Sequence, residues 1–336
     1  MINLARDLKP DVLVVAGDVF HQRRPDEEAL ALFHDTLNRF LNLEMAIIFL
    51  AGPSDDFKHL HLDGRWVRDA GIYLFDDSTQ VLSPVHFRGH RENFDVNVWC
   101  MPFPRPADNP GGAKHPALFQ HDLVEKVVQR LNPSEVNVLF GYAWAQGGGR
   151  RAEFGHLIEP GGRPLESRLL DFFDVSALGA SHAPIALSSS AHYSGSLLCY
   201  EPEDEEQHRS VILYDILGKG QANLDTYSLR PRRHLRVIEG SWEELIEKGR
   251  QVRNDDLIVL RSEEKDLSAE QRAELRIVGP NVVSVELPSP FHKDERESEE
   301  EVSELVASFS RFCQRQTGES LSEEELAVLV ELERRL

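Results

Sequence analysis

A run of apolar residues that ends in a glycine and an acid is the most chemically suggestive feature of this 336-residue sequence. Val14-Val-Ala-Gly-Asp-Val-Phe20 places Asp18 at the C-terminal end of a buried strand, where α/β proteins build ligand sites. A carboxylate at that position can bridge metal ions, and Gly17 lets the backbone pass close by. The competing reading is a residue that caps the next turn. His59 and His61 sit close together, as a metal pair or as part of a polar loop, with no carboxylate partner at a diagnostic spacing. His86, Arg88, His90 and Arg91 form a small basic cluster that suits either a phosphate or an exposed loop. Gly147-Gly-Gly-Arg-Arg151 lacks the Lys-Ser/Thr pair and the strand–helix context of a phosphate loop, so it reads as a flexible turn. Arg230, Arg232 and Arg233, around Pro231, are the best local phosphate contact. Ser188-Ser-Ser190 and the neighbouring His192 lack the nucleophile elbow that a catalytic serine needs.

The elements that must carry these residues alternate between strands and helices. Asp11 to Ala16 is a continuous β-branched run, as in a strand covered on both faces. Pro25 to Leu43 reads as a helix with Leu30, Phe33, Leu37 and Phe40/Leu41 on one face. Ala46 to Ala51, Gly71 to Phe75 and Asn97 to Met101 read as strands. A helix follows near Leu118 to Leu131, then strands at Val136 to Phe140 and Val175 to Leu178. This is a layered α/β pattern with a mixed sheet. Beyond about Tyr193 the pattern shifts to a hairpin, Ser196 to Tyr200 against Val211 to Ile216, across an acidic turn from Glu201 to Glu206. A short αβ unit (Ser241 to Arg250, Leu257 to Leu260) and a strand near Val282 to Leu287 complete a second α+β module. Lys293 to Glu301 reads as a charged linker, and Val302 to Leu336 as two amphipathic helices broken at Gly318.

Composition narrows the function classes. Hydrophobic residues make up 41% and charged residues 28%, which is ordinary globular composition. The net charge of −20 opposes nonspecific nucleic-acid binding, which relies on Lys and Arg neutralising phosphates. Cys100, Cys199 and Cys313 form no CxxC pair, so a disulfide framework and a cysteine zinc site are not expected, and a cytoplasmic location fits. No apolar stretch approaches the roughly 20 residues of a membrane span. The chain opens with an amphipathic helix (Ile2, Leu4, Ala5, Leu8) stopped by Pro10.

In this setting KPDVLVVAGDVFHQRRP resembles the second motif of the calcineurin-like metallophosphoesterases, closest to that of SbcD-type nuclease subunits. Ile47-Ile-Phe-Leu-Ala-Gly-Pro-Ser-Asp55 stands where that family has a strand ending in GNHD. Val138-Leu-Phe-Gly-Tyr142 stands where it has a strand ending in Gly-His, and Asp174-Val-Ser-Ala-Leu-Gly-Ala-Ser-His182 where it has D-x-x-A-L-G-H-x-H. Tyr193-Ser-Gly-Ser196 matches the YSGS turn that follows. The resemblance covers most of the chain. It implies a four-layer α/β sandwich of mixed sheets flanked by helices, with a small α+β capping domain and C-terminal helices. The implied boundaries are a core over 1–200, lacking the family's first strand, a capping domain over 201–292, and a linker with a helical partner-binding segment over 293–336.

The departures carry the functional expectation. Of the family's metal ligands, Asp18 and His182 remain. Pro53 replaces an Asn, Tyr142 a His and Ala180 a His. Ser54 stands at the catalytic His position and is expected to be inactive, which leaves Asp55, the residue that orients that His, without its client. The family's N-terminal Asp-x-His strand is not found ahead of the opening helix, and its loss is expected to expose the edges of neighbouring strands. Two-metal phosphodiester hydrolysis needs both ions. The resemblance therefore implies an impaired subunit with no metal, or one weakly bound divalent ion such as manganese. An active metal-dependent exonuclease or phosphodiesterase with an altered mononuclear site is the alternative. The implied partners are an SbcC-like ATPase, contacted through Phe309, Phe312, Leu326 and Leu329, and DNA reached through the complex. A homodimer stays open, and no membrane contact is expected.

Overall fold

Strands with continuous β-branched runs need cover on both faces, and the fold supplies it with two sheets and two helical layers. The computed structural model describes residues 1–288 except positions 61, 63–64, 90–93, 106–107, 109–114, 149–161, 254, 265 and 280. The chain opens with α1 (Ile2–Leu8), which ends where Lys9 takes a left-handed conformation at φ 50. Then follow β1 (Val12–Ala16), α2 (Glu27–Leu41), β2 (Ala46–Leu50), α3 (Arg65–Asp69) and β3 (Ile72–Phe75). The three strands form a parallel sheet in the order β1-β2-β3. Asp26 starts α2, its carboxylate accepting from the Ala29 N–H at 2.7 Å, so Pro25 lies outside the helix.

Next come β4 (Val85–Arg88), β5 (Asp95–Met101), α4 (Pro116–Val128), β6 (Val136–Tyr142), α5 (Ser167–Leu170), β7 (Val175–Gly179), β8 (Pro184–Ala186) and β9 (Ala191–Ser194). They build a mixed sheet ordered β4-β5-β6-β7-β9-β8, parallel through β5, β6, β7 and β9 and antiparallel at both edges. His86 and Arg88 thus sit on edge strand β4, paired to Asn97 and Asp95 of β5, and not in a loop.

The two sheets face each other across one apolar cluster. Ile48 and Leu50 of β2, Val98 and Cys100 of β5 and Val138 of β6 fill it, and Val12, Val14 and Ala16 of β1 pack against it. Leu13 and Val15 face the other way, toward the layer of α1 and α2. On the far side, α4 and α5 cover the second sheet through Leu123, Val124, Leu169 and Leu170. This is the expected four-layer order of helices, sheet, sheet and helices. β1 lies at the edge of its sheet, and all its residues are half-buried although their types suit full burial.

The expected hairpin is different in the structure. β10 (Ser210–Gly218) pairs with β11 (Gln221–Ser228), and Ser196 to Tyr200 is not a strand. β11 escapes a periodicity reading because Gln221 to Thr226 are exposed on both faces. Residues 196–200 are held as a loop by Arg209, whose guanidinium donates to Ser196 Oγ at 2.6 Å and to the Leu198 carbonyl at 3.2 Å.

Two compact units divide after His234, so the boundary expected at residue 200 falls inside the first unit. The second unit contains β12 (Leu235–Gly240), α6 (Trp242–Gln251), β13 (Leu257–Ser262), α7 (Ala269–Val278) and β14 (Val282–Glu286), with all three strands parallel. Ser241 and Ser268 open its helices with capping boxes to Glu244 and Gln271. Trp242, Leu245, Ile258 and Leu260 form its core. Phe309, Phe312, Leu326 and Leu329 lie outside the described residues, as do His61, His90, Arg91, Arg150 and Arg151. Among the described residues no helix is long and apolar enough to cross a membrane.

Candidate functional site

Parallel strands of both sheets end on one side of the molecule, and their C-terminal turns meet there. Phe103, beyond β5, donates its N–H to the Ala51 carbonyl beyond β2 at 2.7 Å, tying the two sheets together at that end. Gly179 at the end of β7 comes so close to Ala16 at the end of β1 that an added Cβ would strike the Ala16 carbonyl. These contacts bring Asp18, Asp55, Tyr142 and His182 together, four of the positions singled out from the sequence.

Asp18 takes a left-handed conformation at φ 53, and Ala180 stands at φ 98. Neither is glycine, so both carry strain that the surrounding structure must hold. Asp18 accepts a hydrogen bond from the Tyr142 hydroxyl. That ring lies edge-on to Phe103, with centroids 6.0 Å apart, and is 3% exposed. It covers Gly17, where a Cβ would come within 2.8 Å of Tyr142 Cε2, so only glycine lets the tyrosine reach Asp18. Gly52 serves a similar purpose, since a Cβ there would stand 2.6 Å from the Asp18 nitrogen.

Burial pushes the Asp18 carboxyl up to about 6, with neighbouring Asp55 adding to the rise, against the lowering effects of the Tyr142 hydrogen bond and His182. As a whole residue Asp18 is exposed, so water screens part of this energy. Because the folded carboxyl is raised above its unfolded value of 3.8, the native state binds more protons between pH 3.8 and about 6. Stability contributed by Asp18 therefore falls as pH rises through that window. Asp18→Asn, which mimics the protonated acid, is expected to raise the melting temperature at neutral pH and to do little at pH values below 3.8. Thermal melts across that range read the difference directly.

Asp55 has found new clients. Its carboxylate is 1% exposed and accepts from the N–H groups of Gly52 at 2.7 Å, Phe20 at 3.0 Å and Val19 at 3.2 Å. It therefore clamps the turn after β1 to the turn after β2. Burial raises its carboxyl, while those backbone hydrogen bonds pull the other way. Arg105 donates to the Asp55 carbonyl and also reaches Asp76 at 3.8 Å. Asp55→Ala leaves several buried N–H groups without an acceptor, each worth about 1–3 kcal/mol. A loss of about 3 kcal/mol is expected in chemical denaturation, and Asp55→Asn, which keeps one acceptor oxygen, should lose less.

His182 lies on the loop beyond β7. Its Nδ1 stands 3.0 Å from Oδ2 of the fully buried Asp204, and the Tyr200 ring packs beside it with centroids 5.8 Å apart. Asp204 was not found from sequence, because it sits in an acidic run that reads as solvated. Burial and the nearby Asp18 charge raise the Tyr200 hydroxyl. Ser54 and Pro53 are half-buried in the turn beyond β2. Pro53 and Ala180 offer no side-chain donor, and Tyr142 is engaged with Asp18. Among the described residues, Asp18 and His182 are the donors left at the strand ends, which does not fit a centre of two ions. Asp18 joins neither of the clusters of three donor groups within 4.8 Å, which are His182, Glu201 and Asp204, and His121, Asp122 and Glu125.

The remaining candidates lie elsewhere. Arg230, Arg232 and Arg233 are exposed on the segment beyond β11 and form no ion pair among the described residues. His59 stands 3.8 Å from Asp56 on a short 3₁₀ turn. Ser188 donates to Asp171 at 2.7 Å, and His192 packs against Tyr214, so no triad forms.

No family model matches the chain. Two curated relatives do, each the SbcD component of an SbcCD nuclease. That of Staphylococcus epidermidis is 26% identical over 254 residues, 73% of this chain and 66% of that protein. That of Staphylococcus saprophyticus is 28% identical over 257 residues, 74% of this chain and 66% of that protein. The chain thus spans just under two thirds of the length of either relative. The four-layer fold, the strand-end cluster and these two relatives agree, and the chain is a relative of the SbcD-type nuclease subunits.

Proposed function

We propose that this chain acts as an SbcD-like subunit whose own hydrolytic centre is impaired, in partnership with an SbcC-like ATPase and on DNA held by the complex. The observation that carries the reading is the hydrogen bond from Tyr142 to Asp18. A carboxylate committed to a buried phenol, between Pro53 and Ala180 with no donors of their own, is poorly disposed to gather an ion that needs six or more oxygen ligands. The acidic balance of −20 supports DNA engagement through a partner more than through this chain alone. The exposed Arg230, Arg232 and Arg233 are the local phosphate contact on this reading. A cytoplasmic setting accompanies it. Partner binding is assigned to Phe309, Phe312, Leu326 and Leu329.

Metal analysis of the purified chain after exposure to manganese tests the impaired centre. Little or no retained ion is expected, and two tightly held ions per chain would overturn the reading in favour of a working nuclease. One ion lost on Asp18→Ala would instead mark the altered mononuclear site. Co-expression with an SbcC-like ATPase tests the partnership. The pair is expected to co-purify and to separate when residues 302–336 are deleted, and co-purification that survives the deletion would place the contact elsewhere. The same chromatography reads a homodimer.

A further inference from the structure

The acidic turn between β9 and β10 holds one residue that does not behave as a surface acid. Asp204 is fully buried on a short 3₁₀ turn, Pro202–Asp204. Its Oδ2 stands 3.0 Å from His182 Nδ1 and accepts from the backbone N–H groups of Glu201 at 3.2 Å and Tyr200 at 3.3 Å. An ionised carboxylate only accepts, so the ring nitrogen that faces it must carry a proton. In a neutral imidazole that leaves Nε2 as the acceptor.

The same loop is locked from a second direction. Arg209, 6% exposed, donates to the Asp204 carbonyl, to Ser196 Oγ at 2.6 Å, to the Leu198 carbonyl at 3.2 Å and to the His182 carbonyl at 3.5 Å. Ser196 N–H also donates to the His182 carbonyl at 2.9 Å. One buried guanidinium therefore fixes both the backbone of His182 and the turn that carries its carboxylate partner. The distance between them is set by the fold and does not depend on the two side chains finding each other.

His182, Glu201 and Asp204 also lie close enough together to suggest a cation site of their own, with donor atoms within 4.8 Å. Donor accounting argues against it. Oδ2 of Asp204 already receives three donors, one of them the ring N–H that an ion would have to displace. A histidine whose second nitrogen is held by a buried carboxylate is the arrangement that fixes ring orientation and tautomer at functional histidines.

We propose that Asp204 is the positioning residue of His182, holding its ring in the Nδ1–H tautomer and so presenting Nε2 as the acceptor of the strand-end site. This rests on the reading of that cluster as the functional site, but its test needs neither activity nor bound metal. Protein labelled with ¹⁵N-histidine is recorded in long-range ¹H–¹⁵N spectra at about pH 8, above the ordinary histidine range. His182 is assigned by the signal lost in His182→Gln. The expected pattern is a protonated Nδ1 and an unprotonated Nε2. Asp204→Ala is expected to abolish that pattern, and Asp204→Asn, which keeps an acceptor oxygen, to retain it. A wild-type His182 protonated on Nε2 would overturn the proposal, as would an Asp204→Ala protein that stays folded by circular dichroism with the pattern unchanged. Should Asp204→Ala not fold, the wild-type and Asp204→Asn spectra decide. Added zinc that deprotonates and shifts Nδ1 in place of Nε2 would identify the three-residue cation site and sink the positioning role.

Discussion

Linear duplex DNA incubated with the purified chain and manganese is expected to stay intact, at a rate no different from that of its Asp18→Ala variant. The expectation follows from counting donors at the strand ends. Two-metal hydrolysis uses one ion to activate water and both to stabilise the charge that develops on the phosphate. Asp18 is the carboxylate that would be shared, yet it is held by Tyr142 and its carboxyl is pushed up to about 6. Ions compete with protons for such a group, so raising its proton affinity and occupying its oxygen act in the same direction. Ser54 has no ring nitrogen to protonate or orient a phosphate, and Asp55, which could have steered one, is spent on the Gly52, Val19 and Phe20 amides. His182→Ala should behave as Asp18→Ala does. Cleavage by the wild-type chain that vanishes in Asp18→Ala would show that one ion at Asp18 and His182 suffices, and the impaired reading would fall. Cleavage that persists in Asp18→Ala would point to a contaminating nuclease.

How much of this was legible in the sequence depended on whether burial followed from local pattern. β1, β2, β5, β6 and β7 were legible because each is an apolar run long enough to demand cover on both faces. α2 and α4 were legible from their apolar periodicity. β11 was not, because its residues are exposed on both faces and its pairing with β10 is carried by backbone hydrogen bonds that composition does not record. At the site, Asp18, Tyr142 and His182 could be placed on strand ends from the strands alone, but not their partners. Asp55 was read as an orienter without a client, whereas its burial makes it the acceptor for two turns. Asp204 was hidden among acidic neighbours and a proline, and its burial depends on His182 and Arg209, which reach it from outside the turn. Acids in a run look alike in sequence; the donors around them decide which one is buried.

Gly179→Ala is expected to destabilise the first unit by about 4 kcal/mol or more, near the top of the range for single substitutions. The physical reason is backbone against backbone. A Cβ at 179 would strike the Ala16 carbonyl oxygen and stand 2.9 Å from both the carbonyl carbon and the Cβ of Ala16. No rotamer change relieves that contact, because the atoms belong to the last residue of β1, which is paired in register with Leu50 of β2. Relief requires pulling β1 from β2, or β7 from its pairing with β6 at Tyr142. Gly220→Ala is the control: it sits at φ 69 with nothing within 4 Å of an added Cβ, so it should cost only the left-handed penalty of about 1–2 kcal/mol. Denaturant titrations of the two variants side by side separate crowding from backbone strain. The outcome also bears on the site, since Asp18 follows Ala16 by one turn and His182 follows Gly179 by another. If Gly179→Ala folds with wild-type stability, β1 and β7 do not approach this closely, and the meeting of Asp18 with His182 loses its structural basis. If it folds only weakly, a second readout follows from the same geometry: any separation of the two strand ends should also break the hydrogen bond from Tyr142 and let the Asp18 carboxyl fall back toward its ordinary value.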